Sequence, residues 1–340
     1  MRNYILCCDW GTTSLRIRLV NLEGQEIVGE TSSNHGIAYA YDQYSKRSTD
    51  HELKSRIQFY LAMLKEFFDR MEQQYKIDLK HLPVVISGMA SSTLGIMELP
   101  YAALPFSLKG DNAVWYRMEP SELFPHLVIL LSGVRGQEEV MRGEEVQLLG
   151  IMEIINLLPV KKELIVLLPG THSKHVHIKH DQVTKIETYI TGELFSIMSN
   201  NGLLKESVRP AGLSLNQKDW DIFREGIACS GTTNMLQALF KVRTNQLFGR
   251  FTKQQNYTYL SGLLIGYELK ELLNKDISNI VLCSESELFE HYKYALKYLG
   301  LYDHAYLIGR EEAKKATIKG QLVMANKCLH QEQSHGNLQT

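Results

Sequence analysis

Two short turns, far apart in the chain, combine residue types that suit the binding of phosphate. Each joins two apolar runs and is typical of a hairpin tip. A glycine followed by hydroxyl residues exposes backbone N–H groups and O–H donors there, with no large side chain in the way. The turns are Gly11-Thr12-Thr13-Ser14 and Gly170-Thr171-His172-Ser173. Together they predict that the phosphate tail of a nucleotide is held by two related domains.

A carboxylate and an amine lie beside these turns. Asp9 ends the strand before the first turn, where it could hold Mg²⁺, usually through water, beside the β- and γ-phosphates of a nucleotide. It could also simply cap the turn, which is a common use of aspartate. Lys174 follows the second turn and could neutralise phosphate charge. Because side chains alternate along a strand, this amine could equally point away into solvent.

The composition describes an ordinary soluble globular protein, with 44% hydrophobic and 22% charged residues. A length of 340 residues favours two domains. The net charge of −1 gives no case for nucleic acid or an anionic membrane as the main partner. The apolar runs have the length of strands, and the chain enters a strand at once, without a secretory signal. Because five cysteines are an odd count, we expect reduced thiols and a cytoplasmic location.

The same succession of elements is predicted in both halves: three strands in a meander, then alternating helices and strands. The first half has predicted strands at 3–9, 14–22, 26–32, 83–87 and 127–131, and helices at 50–75, capped by Asp50, and 144–157. The second half has predicted strands at 164–168, 174–179, 183–190, 277–283 and 305–308. We predict an α/β protein of two domains, 1–155 and 156–330, whose mixed open sheets meet at a cleft. A polar tail follows at 331–340.

Longer stretches of the chain resemble, in the same order, the signatures of one family of sugar kinases. The stretches are Val140–Gly150 (VMRGEEVQLLG), Leu168–Lys174 (LPGTHSK), Thr191–Phe195 (TGELF) and Tyr259–Gly266 (YLSGLLIG). They are similar to signatures of the 2-dehydro-3-deoxygalactonokinase family, which lies in the sugar kinase, Hsp70 and actin superfamily. The resemblance covers nearly the whole chain. It implies two actin-like (ribonuclease H-like) domains that flank a central nucleotide cleft.

The resemblance also implies ATP-dependent phosphorylation of 2-dehydro-3-deoxy-D-galactonate at its 6-hydroxyl, with ATP and Mg²⁺ as cofactors. The two turns would be the phosphate loops of this kinase. In related sugar kinases the general base follows a glycine at a helix N-terminus, which makes Glu144 the first choice and Glu145 the second. Both acids could instead only complement the helix dipole. Gly262 is expected near the nucleotide, or else in helix packing. The expected partners are small molecules, and a homodimer is left open.

Contacts to the sugar acid are expected from the loop after the strand at 83–87 and from two later residues. These contacts are Ser87, Gly88, Met89, Ser91, Tyr101 and Arg142. Arg142 could bind the substrate carboxylate bidentately, or could pair with Glu145. The Arg and Trp that the family carries in this loop are absent from Ser92–Ile96. This departure leaves open a kinase for a related 2-keto-3-deoxy sugar acid, or a non-catalytic regulator that binds ATP or sugar. A phosphohydrolase of the same superfamily is a further alternative.

Overall fold

A computed structural model describes residues 3–47, 52–155, 163–212, 215–275 and 279–330. Their packing defines two compact units. The first takes in the described residues of Met1–Leu158, Asp181–Thr184 and Lys314–Thr340, and the second those of Pro159–His180 and Lys185–Ala313. The domain ranges 1–155 and 156–330 stay predictions, and the Asp50 cap and the tail at 331–340 lie outside the described residues. No helix in the described ranges is long and apolar enough to cross a membrane.

The first unit is built on a six-stranded mixed sheet. Its strands are β1 (Tyr4–Trp10), β2 (Leu15–Asn21), β3 (Glu26–Ser33), β4 (Val84–Gly88), β7 (Trp115–Met118) and β8 (Val128–Leu131). The order across the sheet is β3-β2-β1-β4-β8-β7. The first three strands form an antiparallel meander, β4 and β8 extend it in parallel, and β7 closes it antiparallel to β8.

Smaller elements complete this unit. Short strands β5 (Ala102–Ala103), β9 (Val134–Arg135) and β10 (Val140–Met141) form a second sheet, while β6 (Phe106–Ser107) pairs with Gln182–Val183. The helices that begin and end in this unit are α1 (Ile37–Arg47), α2 (Leu53–Tyr75) and α3 (Glu144–Ile155). The amphipathic α2 packs an apolar face, which includes Tyr60 and Phe68, into the same core as β1 and β4. Because β1 is buried along most of its length, the partly exposed Asp9 near its end is a polar exception in a central strand.

The second unit repeats the plan of the first. Its strands are β11 (Glu163–Leu168), β12 (Ser173–Lys179), β13 (Gln182–Tyr189), β14 (Ile280–Cys283) and β15 (Ala305–Ile308), in the order β15-β14-β11-β12-β13, and β13 belongs to this unit from Lys185 onward. Its helices are α4 (Thr191–Asn200), α5 (Gln217–Thr232), α6 (Met235–Leu247), α7 (Lys253–Leu269) and α8 (Leu288–Tyr298). In both units the first strand lies between its antiparallel hairpin partner and a later parallel strand. The predicted α/β class, with two ribonuclease H-like sheets, is confirmed.

The last helix, α9 (Arg310–His330), is not among the predicted elements, and neither are α1, α6 and the short strands. Its buried residues face several directions around the helix, so they give no apolar stripe with a period of 3.6 residues. The buried apolar ones are Ala313, Ala316, Ile318, Leu322, Met324, Ala325 and Cys328, and the polar Thr317 and Gln321 are buried as well. From Lys314 onward α9 belongs to the first unit.

Two glycines let α9 cross α3 at very short range. A Cβ on Gly150 would lie 1.7 Å from the carbonyl oxygen of Ala316, and one on Gly320 would lie 1.8 Å from that of Val146. No side chain fits at these distances, so the crossing requires glycine on both helices. The crossing fixes the position of α3, which begins at Glu144.

The crossing is tested by Gly150→Ala. We expect the added methyl group to lower the free energy of unfolding by about 1–3 kcal/mol or more, because backbone must move to admit it. Gly231→Ala is the matched control, since Gly231 lies in α5 with nothing within 4 Å of its would-be Cβ. That variant should unfold at the same or a slightly higher urea concentration. Equal midpoints for the two variants would show that the crossing is not tight.

Candidate active site

The first turn is held against the start of α1 by backbone hydrogen bonds. Gly11 N–H donates to the Ser14 carbonyl at 2.9 Å and closes the turn. Ile37 N–H donates to the Gly11 carbonyl at 2.9 Å, and Ala38 N–H to the Thr12 carbonyl at 3.1 Å. In a trans peptide the C=O and the following N–H point in opposite directions. The N–H groups of Thr12 and Thr13 therefore point away from α1, and both of these side chains are exposed.

Gly36 makes this arrangement sterically possible. A Cβ there would lie 2.3 Å from the Thr12 carbonyl oxygen and 2.5 Å from Ser14 N. Any side chain at this position would push the turn away from the helix. Gly36 is therefore a supporting residue of the first turn. It was not predicted, because it lies more than twenty residues after the turn and no local pattern marks it.

Asp9 lies at the carboxyl end of β1, beside the end of the parallel strand β4. Its Oδ2 accepts a hydrogen bond from Arg16 Nη1 at 3.2 Å, across the hairpin. The two side chains are 26% and 40% exposed, so solvent screens this ion pair. The position suits a carboxylate that holds a hydrated Mg²⁺, because Mg²⁺ is usually bound by one or two carboxylates, waters and substrate phosphates. Among the described residues no group of three or more acidic, histidine or cysteine side chains could hold a metal by itself.

Two glycines with positive φ bring the start of α3 to the end of β4. Gly88 has φ +87°, and a Cβ on it would lie 3.4 Å from Asp9 Oδ1. Gly143 has φ +111°, and a Cβ on it would lie 3.2 Å from Gly88 Cα. Side chains are strained at such φ values. Gly88 thus packs against both Asp9 and the segment that leads into Glu144.

The two acids of this segment occupy different environments. Glu144 is half-buried, and its Oε2 accepts a hydrogen bond from Arg142 N–H at 2.9 Å. Glu145 is only 3% exposed, and its two carboxyl oxygens accept from Gly143 N–H at 3.0 and 2.7 Å. Burial, with a smaller contribution from the Glu144 charge, raises the pKa of Glu145 from 4.5 to about 8. Both acids accept hydrogen bonds from backbone N–H groups just before α3, and of the two only Glu144 is partly open to solvent.

The Arg142 guanidinium is engaged with the substrate loop predicted from the sequence. Nη1 donates to the carbonyl and Oγ of Ser91 at 2.5 and 2.6 Å, and the guanidinium carbon lies 4.1 Å from the centre of the Tyr101 ring. Nη2 lies 3.5 Å from the Leu99 carbonyl, whereas Nε is buried without a partner. These contacts tie Arg142, Ser91 and Tyr101 together.

The predicted substrate residues on β4 and after it are mostly buried. Ser87 is 1% exposed, and its Oγ accepts from Gln321 Nε2 at 3.0 Å; the same nitrogen donates to the Cys8 carbonyl at 2.8 Å. Ser91 is 0% exposed and donates to the Leu131 carbonyl at 2.6 Å. Met89 is half-buried. The structure therefore brings these residues together, with the serines turned inward.

The loop that departs from the family pattern is fastened by α2. Arg56 Nε donates to the Gly95 carbonyl at 2.7 Å, and its Nη2 donates to the Thr93 carbonyl. Tyr60 OH donates to the Leu94 carbonyl at 2.5 Å. Three successive carbonyls of the loop thus accept hydrogen bonds from side chains of one helix, and these bonds fix the backbone of the loop.

The second turn has the same construction as the first. A Cβ on Gly192, at the start of α4, would lie 2.4 Å from the Gly170 carbonyl oxygen. Glu193 N–H donates to the Thr171 carbonyl at 2.9 Å, so the N–H of His172 points away from α4. The side chains of Thr171 and His172 are exposed, and His172 Nε2 lies 2.5 Å from Glu193 Oε2. Each turn therefore lies in close contact with a glycine at the start of the next helix.

Three further predicted nucleotide residues lie deeper in the second unit. Ser173 is 1% exposed, and Lys174 is 6% exposed with its Nζ 2.8 Å from Thr188 Oγ1 on β13. Gly262 lies in α7, where a Cβ would be 2.1 Å from the Phe223 carbonyl oxygen of α5. Within this unit Gly262 therefore lies where α7 packs against α5, which was the second of the two expectations for this residue.

Comparison with known proteins identifies the family to which the chain belongs. The family model described as 2-keto-3-deoxy-galactonokinase matches residues 9–322, a range that includes both turns and both acids. The chain belongs to the 2-keto-3-deoxy-galactonokinase family. The resemblance predicted from the sequence is confirmed, and with it the class of enzyme, a carbohydrate kinase.

Individual relatives agree with this assignment. The chain is 29% identical to the 2-dehydro-3-deoxygalactonokinase of Escherichia coli (strain K12) over 230 residues, which cover 64% of this chain and 71% of that one. It is 28% identical to the probable 2-dehydro-3-deoxygalactonokinase DgoK1 of Rhizobium meliloti (strain 1021) over 324 residues, 92% and 94% of the two chains. A crystal structure of a Sinorhizobium meliloti protein assigned the same kinase name has a TM-score of 0.72 and 26% identity, with 96% and 100% coverage.

The environment of Glu145 predicts how stability depends on pH. Because its pKa is raised on folding, the folded chain keeps the proton at pH values where the unfolded chain has lost it. The free energy of unfolding should fall by up to about 1.4 kcal/mol per pH unit between the two pKa values, and level off once the pH passes the folded one. In Glu145→Gln this fall should be absent, as measured by urea unfolding from pH 4 to 9. Glu153→Gln, on an exposed position of α3, should keep the wild-type slope. A wild-type slope in Glu145→Gln would contradict the assignment.

Proposed function

We propose that the chain transfers the γ-phosphoryl group of MgATP to the 6-hydroxyl of 2-dehydro-3-deoxy-D-galactonate, in the cytoplasm. Membership of the 2-keto-3-deoxy-galactonokinase family supports the substrate, and the family model spans residues 9–322. The observation that carries the proposal is the packing of Gly88 against both Asp9 and Gly143. This packing supports the proposal because it places Asp9, which would hold the metal, and Glu144, the candidate base, on neighbouring segments of one unit.

The backbone of each turn supplies donors for phosphate oxygens. In the first turn these are the N–H groups of Thr12 and Thr13, in the second the N–H of His172, with exposed hydroxyl groups beside them. Fixed N–H dipoles stabilise the negative charge of a phosphoryl group without having to reorient. Phosphoryl transfer needs little more than such positioning and charge neutralisation. Asp9 would hold Mg²⁺ through water, and the ion would neutralise charge on the β- and γ-phosphates.

Glu144 is the better candidate for the general base. A base must come within about 2.6–3.2 Å of the proton that it accepts. The Glu145 carboxyl is buried, and with its pKa raised to about 8 it already holds a proton at neutral pH. Glu144 is half-buried at the first position of α3. In the proposed step Glu144 takes the proton of the 6-hydroxyl, the hydroxyl oxygen attacks the γ-phosphorus, and ADP leaves.

Arg142 would act on the sugar acid mainly through the loop that it holds. Nη1 binds Ser91 and the guanidinium stacks on Tyr101, which leaves Nε as the buried donor without a partner. Arg142 would thus set the position of the loop backbone, whose N–H groups would meet the substrate. Direct bidentate binding of the substrate carboxylate would require Nη1 to exchange its serine contacts for the ligand.

The activity is tested by incubation with MgATP and the sugar acid while ADP is measured. We expect ADP to form only when the sugar acid is present. Asp9→Asn should reduce turnover by about 100-fold or more, because it removes the charge that holds the metal. Turnover no higher than that of Asp9→Asn would contradict the named activity. ADP release without sugar would indicate a phosphohydrolase, and binding without turnover a regulator.

Substrate choice is tested in the same assay with a panel of 2-keto-3-deoxy sugar acids. The loop at Ser92–Ile96 lacks the Arg and Trp of the family, and this is the one observation that favours a related acid. If 2-dehydro-3-deoxygluconate is turned over faster than the galactonate, the proposed substrate would be wrong and the proposed phosphoryl transfer would still hold.

The choice between the two acids is tested by a pair of variants. Glu144→Gln should lower kcat by about 10²–10⁴-fold, with the KM for ATP unchanged, because general bases contribute that much. Glu145→Gln should keep at least a tenth of wild-type kcat, since at neutral pH it replaces a protonated, uncharged carboxyl group with an uncharged amide of nearly the same shape. The reverse result, an inactive Glu145→Gln beside an active Glu144→Gln, would make Glu145 the base.

A further inference from the structure

A buried carboxylate that the proposed mechanism does not use lies behind the second turn. Glu268, on α7, is 3% exposed. Its Oε1 lies 3.1 Å from His175 Nε2, and its Oε2 accepts from Tyr292 OH at 2.6 Å and from Thr191 Oγ1. An isolated buried charge would be very costly, but three donors from three elements surround this one. Such a network is expected to fix the positions of its members.

The hydrogen bonds of this network have a definite direction. Burial, with the neighbouring Glu268 charge, raises the pKa of Tyr292 well above its ordinary value, so the phenol keeps its proton. That proton goes to the carboxylate of Glu268. Ser173 Oγ lies 3.0 Å from Tyr292 OH and must therefore be the donor in that contact. Ser173 Oγ in turn accepts a hydrogen bond from Gly170 N–H, with the nitrogen and Oγ 3.4 Å apart.

The same carboxylate reaches the other side of the turn through Thr191. Thr191 is the first residue of α4, and the next two residues contact the turn directly. Gly192 packs against the Gly170 carbonyl, and Glu193 N–H binds the Thr171 carbonyl. Glu268 thus connects with the turn from the Ser173 end and from the α4 end.

We propose that Glu268 is a positioning residue for the second phosphate turn, acting through Tyr292 on Ser173 and through Thr191 on α4. The proposal rests on the kinase function proposed above, and it refines the role of one predicted residue. Ser173 directs its proton inward to Tyr292 and orders the turn from within. The donors left for phosphate are the exposed Thr171 hydroxyl and the His172 N–H.

The test is Tyr292→Phe, which removes one oxygen atom and keeps the ring. Tyr267→Phe is the matched control, because Tyr267 is the neighbour of Glu268 on α7 and its hydroxyl donates to the Thr233 carbonyl at 2.5 Å. Thermal unfolding confirms that both variants fold. Glu268→Gln serves as a second variant, since it removes the charge with little change of shape, and should shift both readouts below in the same direction as Tyr292→Phe.

The first readout is amide hydrogen exchange of the peptide that contains 169–173, without nucleotide. We expect exchange in this peptide to be about 5–10-fold faster in Tyr292→Phe, which corresponds to the loss of one buried hydrogen bond. Tyr267→Phe should leave it unchanged. Equal exchange in the two variants would overturn the proposal. This readout does not depend on catalysis, so it decides the proposal even if kinase turnover is absent.

The second readout is the division of the kinetic effect between the two substrates. Tyr292→Phe should raise the KM for ATP about 5–10-fold and leave the KM for the sugar acid within twofold. A general loss of stability would not separate the two constants in this way. A rise confined to the sugar acid KM, or a fall in kcat alone, would contradict a role in holding the nucleotide phosphates.

Discussion

The close approach of a helix start to a hairpin tip is the constraint on which the candidate site depends. It occurs once in each unit, at Gly36 and at Gly192, where a Cβ would lie 2.3 and 2.4 Å from a turn carbonyl oxygen. The helix N–H groups bind the carbonyls of the turn, so the opposite N–H groups face outward. The donors that we propose for phosphate are thus set by backbone geometry, which few substitutions outside the glycines can alter. The repetition of this device supports a duplicated origin for the two sheets.

Each unit also has a buried glutamate side chain near its part of the candidate site. Glu145 closes the start of α3 through Gly143, and Glu268 gathers three donors behind the second turn. Neither group is exposed enough to meet substrate. Hydrogen bonds offset the free energy lost when these polar groups are buried. They also hold their partners in fixed positions, which suits a site where small displacements reduce the rate of transfer. The half-buried Glu144 beside the buried Glu145 shows how two adjacent acids can occupy different environments.

Much of the fold was predictable because its signals are local. Apolar runs and the glycine turns located the strands of both meanders, and the helix that begins at Glu144 followed from its position after Gly143. The helix α9 was missed because it is buried around several sides and lacks a stripe. Gln321 and Tyr292 were missed because they lie over a hundred residues from the serines that they contact. Only the folded chain reveals such partners, since neither spacing nor composition marks them.

In the reaction proposed for this chain, a phosphoryl group moves from ATP to the 6-hydroxyl of the sugar acid. The most direct measurement is ³¹P and ¹³C NMR of the reaction mixture at completion. We expect one phosphomonoester, coupled to C6, in an amount equal to the ADP formed. Inorganic phosphate in place of the ester, or an ester at another carbon, would contradict it.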